Sequence, residues 1–136
     1  VWQGKEVPFH FAHGDFAPWN ALRADARIYL FDWEYAREHA PAGYDFFHFL
    51  VQTSWLVDQL KPRDIVEAVL TQARGRNMEA YWKCTDAKES EISMLFQLYV
   101  LERLSLWSMT EPLALEKLQA FTMLIKVAKL DLEVKI

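Results

Sequence analysis

The chain has 136 residues, is 52% apolar, 15% aromatic and 25% charged, and carries one cysteine, four glycines and five prolines. That composition excludes a disordered or low-complexity protein, and the single cysteine excludes both an internal disulfide framework and a cysteine-based zinc cluster. Nineteen acidic against fifteen basic residues give a net charge of −4, which argues against nucleic-acid binding because such surfaces need an excess of Lys and Arg.

The length fits one domain spanning 1–136, able to bury about 68% of its extended surface. No stretch approaches the roughly 18 uncharged apolar residues of a membrane span. The longest charge-free run near the middle, 46–57, still carries His48, Gln52, Thr53 and Ser54. The N-terminus lacks the basic start and apolar core of a signal peptide, and the expected location is the cytoplasm.

Residues 1–44 read as short strands and loops. Pro8 to Ala12 is apolar and extended. Ala21–Arg23 and Arg27–Phe31 are β-prone runs separated by Ala-Asp-Ala, which predicts a small hairpin without the Asn-Gly or Asp-Gly turn signal. Residues 45–136 read as helix almost throughout. Asp45 to Leu60 is apolar on nearly every face, the mark of a buried helix. Lys61-Pro62 ends it, and Pro62 opens the next, running from Arg63 towards Lys83 with Gly75 weakening its middle. Asp86 with Glu89 predicts a capping-box start for a third helix carrying Ile92, Leu95, Phe96, Tyr99, Val100 and Trp107 on its stripe. Pro112 opens a fourth, with Leu118, Phe121, Leu124, Ile125 and Ala128 on one face. The expected fold class is therefore mainly α with a small β-hairpin.

The chemistry is concentrated in His13-Gly-Asp-Phe-Ala-Pro-Trp-Asn20 and Phe31-Asp-Trp-Glu34. Gly14 and Pro18 keep the first segment from forming a regular helix, so a loop can direct Asp15 and Asn20 into one cavity. The hairpin returns the chain, so Asp32 can sit beside Asn20. An amide oxygen and a carboxylate are hard ligands that suit Mg²⁺ bound together with phosphate oxygens. Asp15 then remains free to face a substrate hydroxyl. The pattern matches the protein-kinase catalytic loop, in which His-Arg-Asp precedes an Asn and a later metal-binding Asp. Here Gly14 replaces the Arg, and Asp32-Trp33-Glu34 stands where Asp-Phe-Gly would be.

With those two departures, the combined motif resembles the aminoglycoside phosphotransferase and choline kinase-like superfamily of small-molecule kinases. Pro41-Ala-Gly-Tyr-Asp45 is similar to that family's segment leading into the first helix after the metal site. The motif resemblance covers roughly residues 8–50, and the helical remainder agrees only in general architecture. The resemblance implies the C-terminal lobe of a protein-kinase-like fold. It implies transfer of the γ-phosphate of a Mg²⁺-bound ATP or GTP to a hydroxyl of a small molecule. Residue by residue, it gives Asp15 the role of catalytic carboxylate and makes Asn20 and Asp32 the Mg²⁺ ligands. It makes His13 the residue that holds the loop's shape. Glu34 approaches metal or substrate, or is a solvated or loop-bracing carboxylate, and Asp45 braces the catalytic loop or caps the helix that follows. Trp19 and Trp33 are expected to pack beside the ligands and exclude water. Arg103 is expected in a buried ion pair with a helix Glu.

His10, His39 and His48 lack metal-ligand spacing, and Cys84 reads as a plain thiol. Only twelve residues precede His13 and the first residue is not Met. A nucleotide-binding lobe with its Lys is therefore expected to be absent, the chain being a fragment with little activity alone. Its partners would be that lobe, or a second copy, on an apolar patch near Trp2, Phe9 and the catalytic loop, besides the small acceptor. The alternative is a non-catalytic binding or regulatory module that keeps the same lobe.

Overall fold

The computed structural model describes residues 6–110 and residue 126. Trp2 and the helix expected from Pro112 lie outside them. The described chain is mainly helical, with two small antiparallel sheets.

Strand β1 (Phe9–Ala12) pairs with β4 (Arg37–Pro41), with Phe9 opposite Pro41, His10 opposite Ala40, and an irregularity between His10 and Ala12. Strand β4 has no counterpart in the sequence reading: Glu38 and His39 are exposed, so it carries no apolar alternation. Strands β2 (Ala21–Ala24) and β3 (Arg27–Leu30) form the expected hairpin. Its turn is two residues, Asp25 and Ala26, both at positive φ. This is the turn geometry that matches strand twist, adopted here without glycine.

Helix α1 (Tyr44–Gln52) begins after Gly43. It continues as a wider π-type turn over Thr53–Val57 instead of running regularly to Leu60. Thr53 Oγ1 donates to the Phe49 carbonyl at 2.7 Å at that junction. Phe47 and Val51 are fully buried, whereas Leu56 and Val57 are exposed, so the burial expected along this whole segment holds for α1 only.

Pro62 opens α2 (Pro62–Ala73) as expected. The helix read as continuing to Lys83 instead breaks at Arg74-Gly75. It restarts through a 3₁₀ turn, Arg76–Met78, into α3 (Glu79–Cys84). The break lets Trp82 fold back, its indole N–H donating to the Ala73 carbonyl at 2.6 Å. The last helix, α4 (Ile92–Thr110), enters through a 3₁₀ turn over Glu89–Glu91. Its reciprocal cap is Glu91 on the Lys88 N–H at 2.9 Å, not the Asp86–Glu89 pair, because Asp86 sits in left-handed backbone ending the preceding turn.

The core joins α1, α2 and α4 through Phe47, Val51, Ile65, Val69, Leu95, Phe96 and Tyr99, sealed by Trp82. The Phe47 ring lies 5.3 Å from Phe96 and 5.9 Å from Trp82. Strand β4 packs against α4, and the loop between β1 and β2 is hydrogen-bonded to α1 and α4.

Candidate active site

The loop after β1 is fixed by the start of α1. The Asp45 carboxylate accepts the His13 N–H at 2.7 Å and the Gly14 N–H at 2.9 Å. Asp45 therefore braces the loop, and no side chain caps α1. Gly14 has φ +85°, and a Cβ there would lie 2.1 Å from the Tyr35 carbonyl oxygen. Only glycine fits, which explains why this position cannot carry the kinase-type arginine. Arg103, on α4, closes the loop from below, donating from Nη1 to the Gly14 carbonyl at 3.4 Å. The helix glutamate Glu102 pairs with Arg37 of β4.

His13 is buried and both ring nitrogens are used. The Asp15 N–H approaches Nδ1 at 3.3 Å, so the ring hydrogen lies on Nε2, which donates to the Phe31 carbonyl at 2.7 Å. The ring thus ties the loop to the segment carrying Asp32, without facing a substrate. Trp33 packs against it, tilted, at 4.5 Å between centroids. The outer faces of Trp19 and Trp33 are exposed, so neither seals the site among the described residues.

Asp15 and Asn20 meet directly. Asn20 Nδ2 donates to Asp15 Oδ2 and to the Asp15 carbonyl, both at 2.9 Å. Both partners are pure acceptors, so the amide nitrogen must face them, and Oδ1 is the atom left for a ligand. The hairpin then returns Phe31 so that its N–H reaches the Asn20 carbonyl at 3.0 Å. Asp32 follows at once, in left-handed backbone (φ 62°, ψ 65°) and exposed. Glu34 is exposed beside Tyr35, whose phenol it raises by its charge. The hairpin thus carries Asn20 and Asp32 on its two strands at the same open end of one short ladder.

Two residues that the sequence reading passed over complete this cluster. His48 of α1, fully buried, donates from Nε2 to Asp15 Oδ1 at 2.9 Å. Its Nδ1 lies 3.0 Å from the Tyr99 hydroxyl on α4. The His48 hydrogen bond is the main cause holding the Asp15 carboxyl below its usual range, with help from the charge of Arg103 and the amide of Asn20. Burial pushes His48 down despite the neighbouring carboxylate. The imidazole is therefore neutral at pH 7, and the pair is a hydrogen bond, not an ion pair. Complete burial raises Tyr99 well above 10, so its hydroxyl keeps its proton. The sequence marks His48 only as a polar residue among Phe46, Phe47, Phe49 and Leu50, with nothing to join it to Asp15 or Tyr99.

Asn20 Oδ1 and the Asp32 carboxylate are hard oxygen donors whose chemistry fits Mg²⁺. Among the described residues no group of three or more His, Cys, Asp or Glu could hold a metal. A two-ligand site suits an ion that keeps its waters and takes phosphate oxygens, and does not suit zinc. No described helix is long and apolar enough to cross a membrane.

Compared with protein-family models, curated proteins and solved structures, the chain matches none of them.

Proposed function

We propose that this chain is the acceptor and metal side of a cytoplasmic small-molecule phosphotransferase similar to aminoglycoside phosphotransferases and choline kinases. One observation carries the reading: Asp15 and Asn20 are hydrogen-bonded to each other, with Asp32 returned to Asn20 by the hairpin. The Asp15 side chain keeps a quarter of its surface exposed, enough for an acceptor hydroxyl to reach it.

In this reading Asp15 orients the hydroxyl of a small molecule. The acceptor oxygen bonds to the γ-phosphorus of ATP or GTP, the bridging bond to the β-phosphate breaks, and the nucleoside diphosphate leaves. The hydroxyl proton passes to Asp15. Asn20 and Asp32 would hold Mg²⁺, which supplies charge neutralisation on the phosphates when bound. The two hydrogen bonds on Asp15 make it a weak base, suited to a loose transition state in which the acceptor's proton moves late. Phe9, Phe11, Phe31 and Trp33 expose an aromatic face beside the loop. A patch of this kind suits a docked nucleotide-covering lobe, or a second copy in its place.

The second reading is a binding module without catalysis.

Calorimetry with Mg-ATP separates the two. Magnesium-dependent binding lost in Asn20→Ala and Asp32→Asn, with binding kept but phosphate release lost in Asp15→Asn, supports the phosphotransferase. Turnover near the 1–100 per second order of whole kinases would show that no covering lobe is needed. Absence of any nucleotide binding refutes the reading.

A further inference from the structure

We propose that His48 and Tyr99 are positioning residues for Asp15, a buried line of hydrogen bonds running from the helical core to the acceptor-side carboxylate. This rests on the reading of Asp15 given above. The order of the hydrogens is forced by chemistry. An ionised carboxylate only accepts, so His48 Nε2, 2.9 Å from Asp15 Oδ1, carries the ring hydrogen. The ring is neutral in its buried setting, so Nδ1 is a bare acceptor. The Tyr99 hydroxyl, 3.0 Å away, must donate to it. Asp15 therefore fixes the tautomer of His48, Tyr99 satisfies the buried Nδ1 and holds the ring in place, and His48 sets the aim of Asp15.

The neighbours reinforce that assignment. Tyr44 stacks parallel to the imidazole at 6.4 Å between centroids, fixing the plane of the ring. Charges reach the ring from three sides: Asp15 in the loop, Asp45 on α1 and Arg103 on α4. With Asn20 on Oδ2 and His48 on Oδ1, each carboxylate oxygen has one N–H donor. That leaves a defined pair of lone-pair directions for an acceptor hydroxyl. A catalytic carboxylate held on both oxygens loses little orientational freedom when substrate arrives.

Filling the same space with leucine would spare the core three polar atoms. The structure instead continues the polar line inward to a tyrosine that itself touches no part of the loop among the hydrogen bonds present. A hydroxyl there has no packing purpose that phenylalanine would not serve equally well.

The test uses the whole chain labelled with ¹⁵N at histidine, observed by long-range proton–nitrogen spectra at neutral pH. The expected wild-type result is a neutral His48 with its hydrogen on Nε2. Tyr99→Phe is expected to leave the hydrogen on Nε2 and to move the Nδ1 resonance as that nitrogen loses its donor, while the chain stays folded. A charged His48, a hydrogen on Nδ1, or an unchanged Nδ1 resonance in Tyr99→Phe overturns the proposal. Mg-ATP hydrolysis, with water standing in for the acceptor, supplies a second readout. His48→Leu is expected to lower kcat about tenfold to a hundredfold, the value of one hydrogen bond to a charged group, with the KM for Mg-ATP unchanged. His48→Gln, which keeps an N–H near the same place, is expected to recover part of it. Equal losses in both variants, or a change in KM alone, overturn the positioning role. An Nε2–H tautomer in a chain that binds no Mg-nucleotide supports the hydrogen-bonded line and refutes the phosphotransferase reading.

Discussion

Replacing Asp45 tests how the loop after β1 is held. Its carboxylate accepts two backbone N–H groups, from His13 at 2.7 Å and Gly14 at 2.9 Å, and both are enclosed by the loop. A hydrogen bond to a charged group contributes about 1.5–3 kcal/mol, and a donor left unpaired forfeits its hydration as well. Asp45→Ala removes both acceptors, an expected loss of about 3–6 kcal/mol, with the lower end favoured because Asp45 is only half-buried. Against a total stability of roughly 5–15 kcal/mol, that is a large share. Asp45→Asn keeps one carbonyl acceptor but turns an NH₂ towards the second N–H, so about half the loss is expected. Urea unfolding followed by the fluorescence of the six tryptophans measures it. With a slope of about 1–3 kcal/mol per molar urea, the midpoint for Asp45→Ala should fall by at least about 1 M. Glu67→Gln, on the exposed face of α2, serves as the control and should stay within about 0.5 kcal/mol of the parent. A shift in Asp45→Ala no larger than the control's would refute the brace.

Gly14→Ala combines a positive φ with a Cβ 2.1 Å from the Tyr35 carbonyl, and is expected to melt far below the parent in a thermal scan. An unchanged melting temperature would mean that the loop is built differently. Phe47→Ala empties a site with no solvent exposure between Trp82, Phe96 and Tyr99. Its cost by urea unfolding should be about 3–5 kcal/mol, and a cost under about 1 would contradict the packing. Acidification supplies the last test. His48 is held below its ordinary value of 6.5, so the unfolded chain takes up that proton first. Stability is then full above pH 6.5 and falls as pH drops towards the folded value, by at most about 1.4 kcal/mol per pH unit. Asp15, also held low, adds a second loss that opens only below pH 3.8. Urea midpoints that stay flat from pH 7 down to where Asp15 begins to titrate would refute the buried, neutral His48.

The parts of the site that the sequence made legible are those that local geometry controls. Asp15 and Asn20 lie on one short loop, and the hairpin that returns Phe31 to Asn20 is itself a local pairing. His48 was not legible, because its partner lies 33 residues away in the chain, and Tyr99 lies 51 residues further on. Periodicity assigns both to a core stripe and gives no reason to join them. The same limit applies to Arg103, which reads as one cation among leucines and proves to hold the Gly14 carbonyl. The break at Gly75 was half legible. A glycine weakens a helix, but what ends this one is the fold-back of Trp82 onto Ala73, a tertiary event.

The hairpin differs from the helical body in how it is supported. Its strands are four residues each, and their paired side chains leave apolar groups exposed on both faces. Leu22 stands opposite Tyr29, and Ile28 opposite Arg23. A two-stranded ribbon of that size is marginal in water without a covered face. It is held at its base, where Phe31 meets Asn20 and the Trp33 indole donates to the Leu30 carbonyl at 3.1 Å. Asn20 and Asp32 flank that same base. Fraying of the ribbon and loss of the Phe31–Asn20 backbone hydrogen bond are therefore one motion. Whatever covers either face of the hairpin must, by mass action, also favour the arrangement in which that base is closed.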